Sequence, residues 1–468
     1  MTRTSLTSQP TATSHALLSA KMAIALLTAL CLLAFLLTIP LPRADGHLIG
    51  SDGIGYYVYL PSIWLDRDLD FTNEYAVFFA YARDAAPDAA FHLHRTPQGV
   101  PPNQWAIGPA LLWSPFFLLA HLLALGLQSG GFAVSPDGYG YLYQAIVLSG
   151  SILYAGVGAW LTYCFVLRWV QPEAALGSVL LVVLAGNLVY YMTAEPSMSH
   201  GVSAFASALF FLLWIRRRDR SDRLTPALLG AAAGLMALIR PQDGLLLALP
   251  FLDRLPAVVH GMRTGNFTPL RQWLGAMVIA AVAALVVFTP QLWSWQIIYG
   301  SILRSGYLYA GGAFNWFTPK LAQVMLSSER GLLVWHPIFL GALIGLGLLW
   351  RIDRRMSVLG LLAVAIQWYV IASWSDWRQG DAFGGRMFIV CTPVFALGVG
   401  VLIEWAAARW SWRRVAILGA LLLIWNFLLF VEYRFDLVAA QRPVTWHDLT
   451  IGRLTKPMDI ILARLRQG

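Results

Sequence analysis

Residues 22–39 read MAIALLTALCLLAFLLTI, an uncharged apolar run introduced by Lys21 and closed by Pro40. At about 1.5 Å per helical residue the run covers most of a hydrocarbon core of about 30 Å, so it reads as a membrane-spanning helix. It is longer than the apolar core of a secretory leader and no small-x-small cleavage site follows it, so it reads as a retained first span. Eleven further apolar runs follow at about 105–127, 139–167, 173–193, 198–215, 225–239, 244–259, 272–296, 331–350, 356–372, 387–408 and 414–431. Their residues are apolar throughout rather than alternating with polar ones, which excludes a transmembrane β-barrel. The expected fold is therefore an all-α polytopic membrane protein.

Composition agrees. Of 468 residues 58% are hydrophobic and 12% charged, with a mean hydropathy of +0.62. A soluble domain carries about 25% charged residues, so an ordinary globular enzyme, a disordered chain and a coiled coil are excluded. The net charge of +9 would suggest nucleic acid in a soluble protein. Here most arginines sit in short loops, where they set topology. Cys31, Cys164 and Cys391 all fall inside apolar runs, which argues against a disulfide or a thiolate metal site.

Loop charge orders the spans. The loops near 168, 216–223, 254–271, 351–355 and 409–414 together hold 15 arginines, whereas those near 194–200, 240–243 and 373–386 hold only Arg240, Arg378 and Arg386. The positive-inside rule places the first set in the cytoplasm. With the N-terminus also inside, one early run must fail to cross. The run at 105–127, broken by Gly108, Pro109 and Pro115, is read as a re-entrant or interfacial segment. The expectation is about eleven transmembrane helices plus interfacial or re-entrant ones in a single domain over 1–468. A large external loop covers 43–104 and an external tail 432–468. Within the tail, 451–465 reads as a helix on the membrane surface, and the Ser/Thr-rich first 14 residues read as disordered.

The external face gathers the polar residues that could carry chemistry. Ser51-Asp52-Gly53-Ile54-Gly55-Tyr56-Tyr57 follows the first span closely. A carboxylate just above a membrane, flanked by glycines that admit a ligand to the backbone, suits a general base. Tyr56 and Tyr57 offer stacking surfaces and hydroxyls for a sugar; an interfacial aromatic belt with an incidental acid would look similar. Glu195, in Glu195-Pro196-Ser197-Met198-Ser199-His200, could join Asp52 as a second catalytic acid with His200 beside the substrate. A capping turn with Pro196 at the first helical position is the plain alternative. Asp66, Asp68 and Asp70 read as a solvated helix face. Arg240 is the sole cation of a very short external loop, against the charge bias, and its planar fork suits a lipid phosphate at headgroup depth. Snorkelling is the plain alternative there. The loops 297–330 and 373–386 add Arg330 and Arg386 among aromatics and glycines, a mixture that suits carbohydrate stacking and phosphate contact.

No nucleotide-binding loop, dinucleotide fingerprint, zinc-protease helix or serine-nucleophile motif is present. The spans carry almost no charge near their centres, unlike ion-coupled transporters.

Together these features resemble the superfamily C (GT-C) polytopic glycosyltransferases, which take sugars from polyprenyl-phosphate carriers. Protein O-mannosyltransferases and lipid A aminoarabinose transferases belong to that group. Asp52 resembles the acid that opens the first external loop there, although Gly53 stands where a second acid often follows. Glu195-Pro196 is similar to a later acid before a proline, and Arg240 to the basic residue that holds the donor phosphate. Trp105-Ala106-Ile107-Gly108-Pro109 is similar to a Gly/Pro-rich segment after the first loop. The resemblance implies a membrane glycosyltransferase moving a hexosyl or pentosyl group by an inverting single displacement. Asp52 and Glu195 would be catalytic, Arg240, Arg330 and Arg386 would bind the donor phosphate, and Tyr56, Tyr57 and His200 would contact substrate. The partners implied are a polyprenyl-phosphate sugar donor, an extracytoplasmic glycan, lipid or protein acceptor, and membrane lipids, with no nucleic acid. No nucleotide cofactor is implied, and a divalent cation is left open. The implied location is the bacterial inner membrane, N-terminus in the cytoplasm, as part of cell-envelope glycosylation. A lipid-linked glycan flippase or transporter, or a polysaccharide ligase or polymerase, is the alternative.

Overall fold

The computed structural model describes residues 14–40, 46–80, 94–435, 437–438 and 444–456. Most of the Ser/Thr-rich start and the tail beyond Lys456, including the rest of the 451–465 stretch, lie outside the described residues. The chain is a bundle of helices: α1 (Ser14–Leu36), α2 (Asp52–Tyr57), α3 (Gly108–Ser129), α4 (Tyr141–Val166), α5 (Pro172–Leu184), α6 (His200–Arg217), α7 (Leu224–Ile239), α8 (Ala248–Arg263), α9 (Thr268–Tyr299), α10 (Ile338–Leu349), α11 (Arg354–Ser373), α12 (Thr392–Ala407) and α13 (Trp412–Arg434). Among the described residues there is no strand, only an isolated bridge between Phe314 and Trp374. Among the described residues eight helices are long and apolar enough to cross a membrane, counting α8 and α12 with the 3-10 turns that lead into them, and α5, α7 and α10 are shorter apolar helices. The protein is a multi-pass integral membrane protein. Helices are the natural outcome because a bilayer offers no partner for backbone N–H and C=O groups.

The arginine-bearing loops meet at one end of the bundle. Arg218 donates to Asp253 at 2.6 and 2.8 Å and to Asp353 at 3.4 Å, Arg355 pairs with Asp253 at 2.8 Å, and the Trp169 indole donates to Asp353 at 3.2 Å. These bonds tie the ends of α4, α6, α8 and α11 together, and Asp353 also caps α11 through the Met356 N–H. His200, Arg240, Tyr299, Trp374 and Arg386 lie at the opposite ends of their helices.

Helix α3 is continuous over 22 residues, with Pro115 inside it. It runs antiparallel to α4: the Tyr154 hydroxyl donates to the Leu112 carbonyl at 3.0 Å, and His121 meets the Tyr143 hydroxyl at 2.7 Å. It therefore flanks the half of α4 farther from the arginine-rich end. At its start Gly108 is required, because a Cβ there would lie 2.3 Å from the Leu238 carbonyl oxygen.

The segment 46–80 packs over the start of α4. Asp70 and Asp68 cap local turns through the Thr72 and Asp70 N–H groups. In the helix Thr72–Phe78 the Glu74 side chain is fully buried, and burial, with Asp66 and Asp68 adding to it, pushes its carboxyl up to about 9. The folded state then holds a proton that the unfolded chain releases above about 4.5, the ordinary value. Stability should therefore fall as pH rises from about 4.5 to about 9. Glu74→Gln should flatten this dependence when melting temperature is measured from pH 5 to 9. An unchanged slope would show that Glu74 is ionised in the folded protein.

Candidate active site

The candidate site forms where α2, the 195–199 turn, the start of α6, the end of α7 and the 376–387 segment converge. Ser51, with φ of 53°, turns the chain into α2. The glycines after Asp52 serve packing. A Cβ on Gly53 would lie 2.3 Å from the Ser197 hydroxyl, and one on Gly55 would lie 1.8 Å from the Trp105 ring. The expectation that they admit a ligand to the backbone is thus corrected: they admit the chain's own neighbours. The Gly53 contact brings the turn carrying Glu195 against the helix carrying Asp52.

Asp52 accepts a hydrogen bond from Arg386 Nη2 at 2.9 Å. Arg386 is presented by a locked segment. The Phe383 N–H donates to the Tyr191 hydroxyl at 3.0 Å, the Asn187 amide to the Gly385 carbonyl at 2.9 Å, and the Met387 N–H to Gln379 at 2.8 Å. Gly384 has φ of 67°, and a Cβ there would lie 2.2 Å from His336 Nε2, so glycine is required on both grounds. Gly380 lies under the guanidinium, with Asp376 beside it.

Tyr56 is buried, and its hydroxyl accepts from Ser199 Oγ at 3.2 Å. It lines a cavity of about 380 Å³, whose walls also include Arg240, Trp295, Tyr307, Trp316 and Trp374. Among the described residues, Arg240 is the only charged one that lines it. The backbone of Arg240 is extended where α7 ends, and Arg240 Nη1 meets His200 Nδ1 at 3.4 Å. A guanidinium only donates, so that imidazole nitrogen is the unprotonated one. His200 is itself buried against the Tyr191 ring, 4.3 Å away between centroids. With its amide oxygen turned toward Arg240, Gln242 accepts from Nη2 and Nε at 3.1 Å. Burial pushes the Tyr307 hydroxyl well above its usual range, with Tyr56 and Asp52 adding and Arg240 opposing, so it stays protonated as a donor. Asp52 and Arg240 thus both act on the Tyr307 hydroxyl.

Other residues named from the sequence lie apart. The Tyr57 hydroxyl donates to the Gly138 carbonyl at 2.7 Å, and its ring packs on Phe78 and Phe117, in the core rather than at the cavity. Successive helical residues point about 100° apart, so α2 turns Tyr56 to the site and Tyr57 away from it. Arg330, with φ of 66°, is buried beside the 381–382 turn: Nε donates to the Ala382 carbonyl at 3.0 Å and Nη2 lies 3.5 Å from Asp381. Burial raises the Asp381 carboxyl, with Arg330 and Arg386 opposing. Glu195 stays beside the site, on the turn that packs against α2, and its carboxylate acts on Tyr191 together with Arg386 and on Tyr433 together with Arg330. Pro196 belongs to a turn, since α6 begins only at His200. Arg386 and Arg330 therefore pair with carboxylates, while Arg240 alone faces the cavity. Sequence reasoning placed Tyr307 among the aromatics of the 297–330 loop but missed Trp295 and Gln242 as cavity-lining residues, since neither carried a spacing signal. Among the described residues, no group of three or more His, Cys, Asp or Glu side chains could hold a metal ion.

No family model matches the sequence, and no curated protein sequence matches it. The fold is similar to that of ArnT from Cupriavidus metallidurans, solved bound to undecaprenyl phosphate. The TM-score is 0.50 at 14% identity, over 95% of this chain and 74% of that one. The chain has the GT-C fold. The archaeal oligosaccharyltransferase AglB from Archaeoglobus fulgidus, solved with an inhibitory peptide and a dolichol-phosphate, aligns at TM-score 0.47 and 13% identity, over 90% of this chain and 55% of that one. The apo oligosaccharyltransferase from the same organism aligns at TM-score 0.45 and 14% identity, over 92% and 56%.

Proposed function

We propose that this GT-C-fold protein transfers a sugar from a polyprenyl-phosphate donor to an acceptor at the face opposite the arginine-rich loops. The observation that carries the reading is the cavity: one cation, Arg240, in an otherwise uncharged and aromatic-walled space inside a membrane bundle. A lipid phosphate combines the same two chemistries, an apolar chain and one anionic head, and ArnT was solved with such a lipid.

The arrangement supports a single displacement. Asp52 accepts the proton of an acceptor hydroxyl as its oxygen attacks the anomeric carbon from the side opposite the phosphate. The bond from the anomeric carbon to the phosphate oxygen breaks, and polyprenyl phosphate departs with the electron pair. The anomeric centre inverts. Arg386 orients Asp52 through its 2.9 Å hydrogen bond, and Arg240 stabilises charge that develops on the departing phosphate. The neutral Tyr307 hydroxyl can donate to the same phosphate or to a sugar hydroxyl. The positive-inside rule supports an external site, in a bacterial inner membrane with a cytoplasmic N-terminus.

The test uses purified protein in sealed vesicles, oriented with the arginine-rich loops inside and loaded with a panel of radiolabelled polyprenyl-phosphate sugars. Label should reach an acceptor supplied outside. No transfer from any donor would remove the proposed activity, and transfer only to an internal acceptor would reverse the orientation.

A further inference from the structure

A second apolar space lies at the arginine-rich end, away from the Arg240 cavity. It is a groove of about 530 Å³ between α5, α10, α12 and α13, whose walls include Leu181, Ile338, Leu402, Leu422 and Trp425. Among the described residues, none that lines it is charged. A smaller space of about 340 Å³ shares Trp410 and Leu418 with it and adds Arg414. The two form one slot, cationic at its mouth and apolar along its length.

The slot follows from how α13 is attached. The Asn426 amide donates to the Leu184 and Gly186 carbonyls at 2.8 and 2.9 Å, and its oxygen meets His336 Nδ1 at 2.8 Å. These bonds pin α13 at the end of the groove marked by Trp425. At the other end the Ser411 hydroxyl caps α13 through the Arg414 N–H at 3.3 Å. Between the pins, the α13 side chains at Val415, Leu418 and Leu422 line the groove. Arg217, Arg218 and Arg355 at the same end pair with carboxylates. Among the described residues Arg413 and Arg414 have no side-chain hydrogen bond or ion pair, and both are exposed. Trp410, half exposed, stands beside them at the depth where indoles favour the membrane interface.

We infer that this slot binds one anionic diacyl phospholipid, its phosphate on Arg414 at the mouth with the exposed Arg413 adding a second cation at that surface, and an acyl chain lying along the groove toward Trp425. The occupant must be a lipid because the groove opens between membrane-crossing helices, where water and soluble partners are absent. The apolar walls do not choose among lipids, since lipid tails are as apolar as the leucines they touch. The choice falls to the mouth. Each arginine near a membrane surface favours an anionic lipid by about 1 kcal/mol, about fivefold, so the pair should give about 30-fold. This inference does not depend on the transferase reading.

The test places the full-length protein in nanodiscs with trace photoreactive phosphatidylglycerol or phosphatidylcholine carrying a diazirine in the acyl chain. Cross-links are then mapped by mass spectrometry. The phosphatidylglycerol probe should label 402–425 about 30-fold more than the phosphatidylcholine probe. The double change Arg413→Gln and Arg414→Gln should erase that preference, and Leu418→Trp, which fills the slot from a half-exposed position, should erase labelling of the groove. Equal labelling by the two probes in the unaltered protein would overturn the proposal without any variant having to fold. So would displacement of phosphatidylglycerol by an equimolar polyprenyl phosphate, or labelling unchanged in both variants at unaltered melting temperature.

Discussion

Asp52→Asn should cut sugar transfer by about 10²- to 10⁴-fold, the usual contribution of a positioned general base. Asn keeps the shape and can still accept the hydrogen bond that Arg386 Nη2 donates at 2.9 Å, but it takes no proton at neutral pH. Donor binding should survive, because Asp52 is not among the residues that line the cavity holding Arg240. The change also leaves the Arg386 guanidinium, with 12% of its side chain exposed, facing a neutral partner, so a modest drop in melting temperature should accompany it. The double change Asp52→Asn and Arg386→Gln separates the two roles. If Asp52 serves only to neutralise Arg386, the double variant regains both stability and transfer. If Asp52 is the base, stability returns and transfer does not. Transfer and melting temperature are measured on the same detergent-purified sample, and transfer within about threefold of the unaltered protein in well-folded Asp52→Asn would take Asp52 out of the mechanism. Glu195, on the neighbouring turn, would then be tested next.

Arg240→Ala should weaken donor binding by about 30-fold to several thousand-fold. Truncating one member of a buried, hydrogen-bonded charge pair costs about 2–5 kcal/mol, much of it the penalty of leaving the other charge unpaired. The penalty should be felt here because, among the described residues, Arg240 is the only charged one lining the cavity. Arg240→Lys keeps the charge but loses the planar fork that His200 and Gln242 orient, so it should recover only part of the affinity. Direct binding of a radiolabelled polyprenyl phosphate, with no acceptor present, gives the dissociation constant apart from turnover. Unchanged affinity in Arg240→Ala would reduce the residue to a headgroup anchor and would move the donor site toward Arg386.

Much of this architecture is legible along the chain because hydropathy and loop charge are local sums. The apolar runs fix an all-helical membrane protein, since a helix satisfies its backbone bonds within its own segment. The arginine-rich loops mark one end of the bundle; Arg240 stands out because cations are scarce in the short loops at the other, and Asp52 because glycines and tyrosines flank it. The rest depends on packing. The partner of Asp52 is 334 residues away, and no spacing rule links them. Tyr56 and Tyr57 are chemically alike, and only the seating of α2 against the 195–199 turn and Trp105 sends one to the cavity and the other to the core. Arg240, Arg330 and Arg386 also read alike, yet two face carboxylates and one faces an uncharged cavity. Secondary structure follows from short-range bonds that the sequence specifies residue by residue. Which charge meets which partner is settled only when helices from distant parts of the chain close on one another and remove the water that would otherwise have made every such group equivalent.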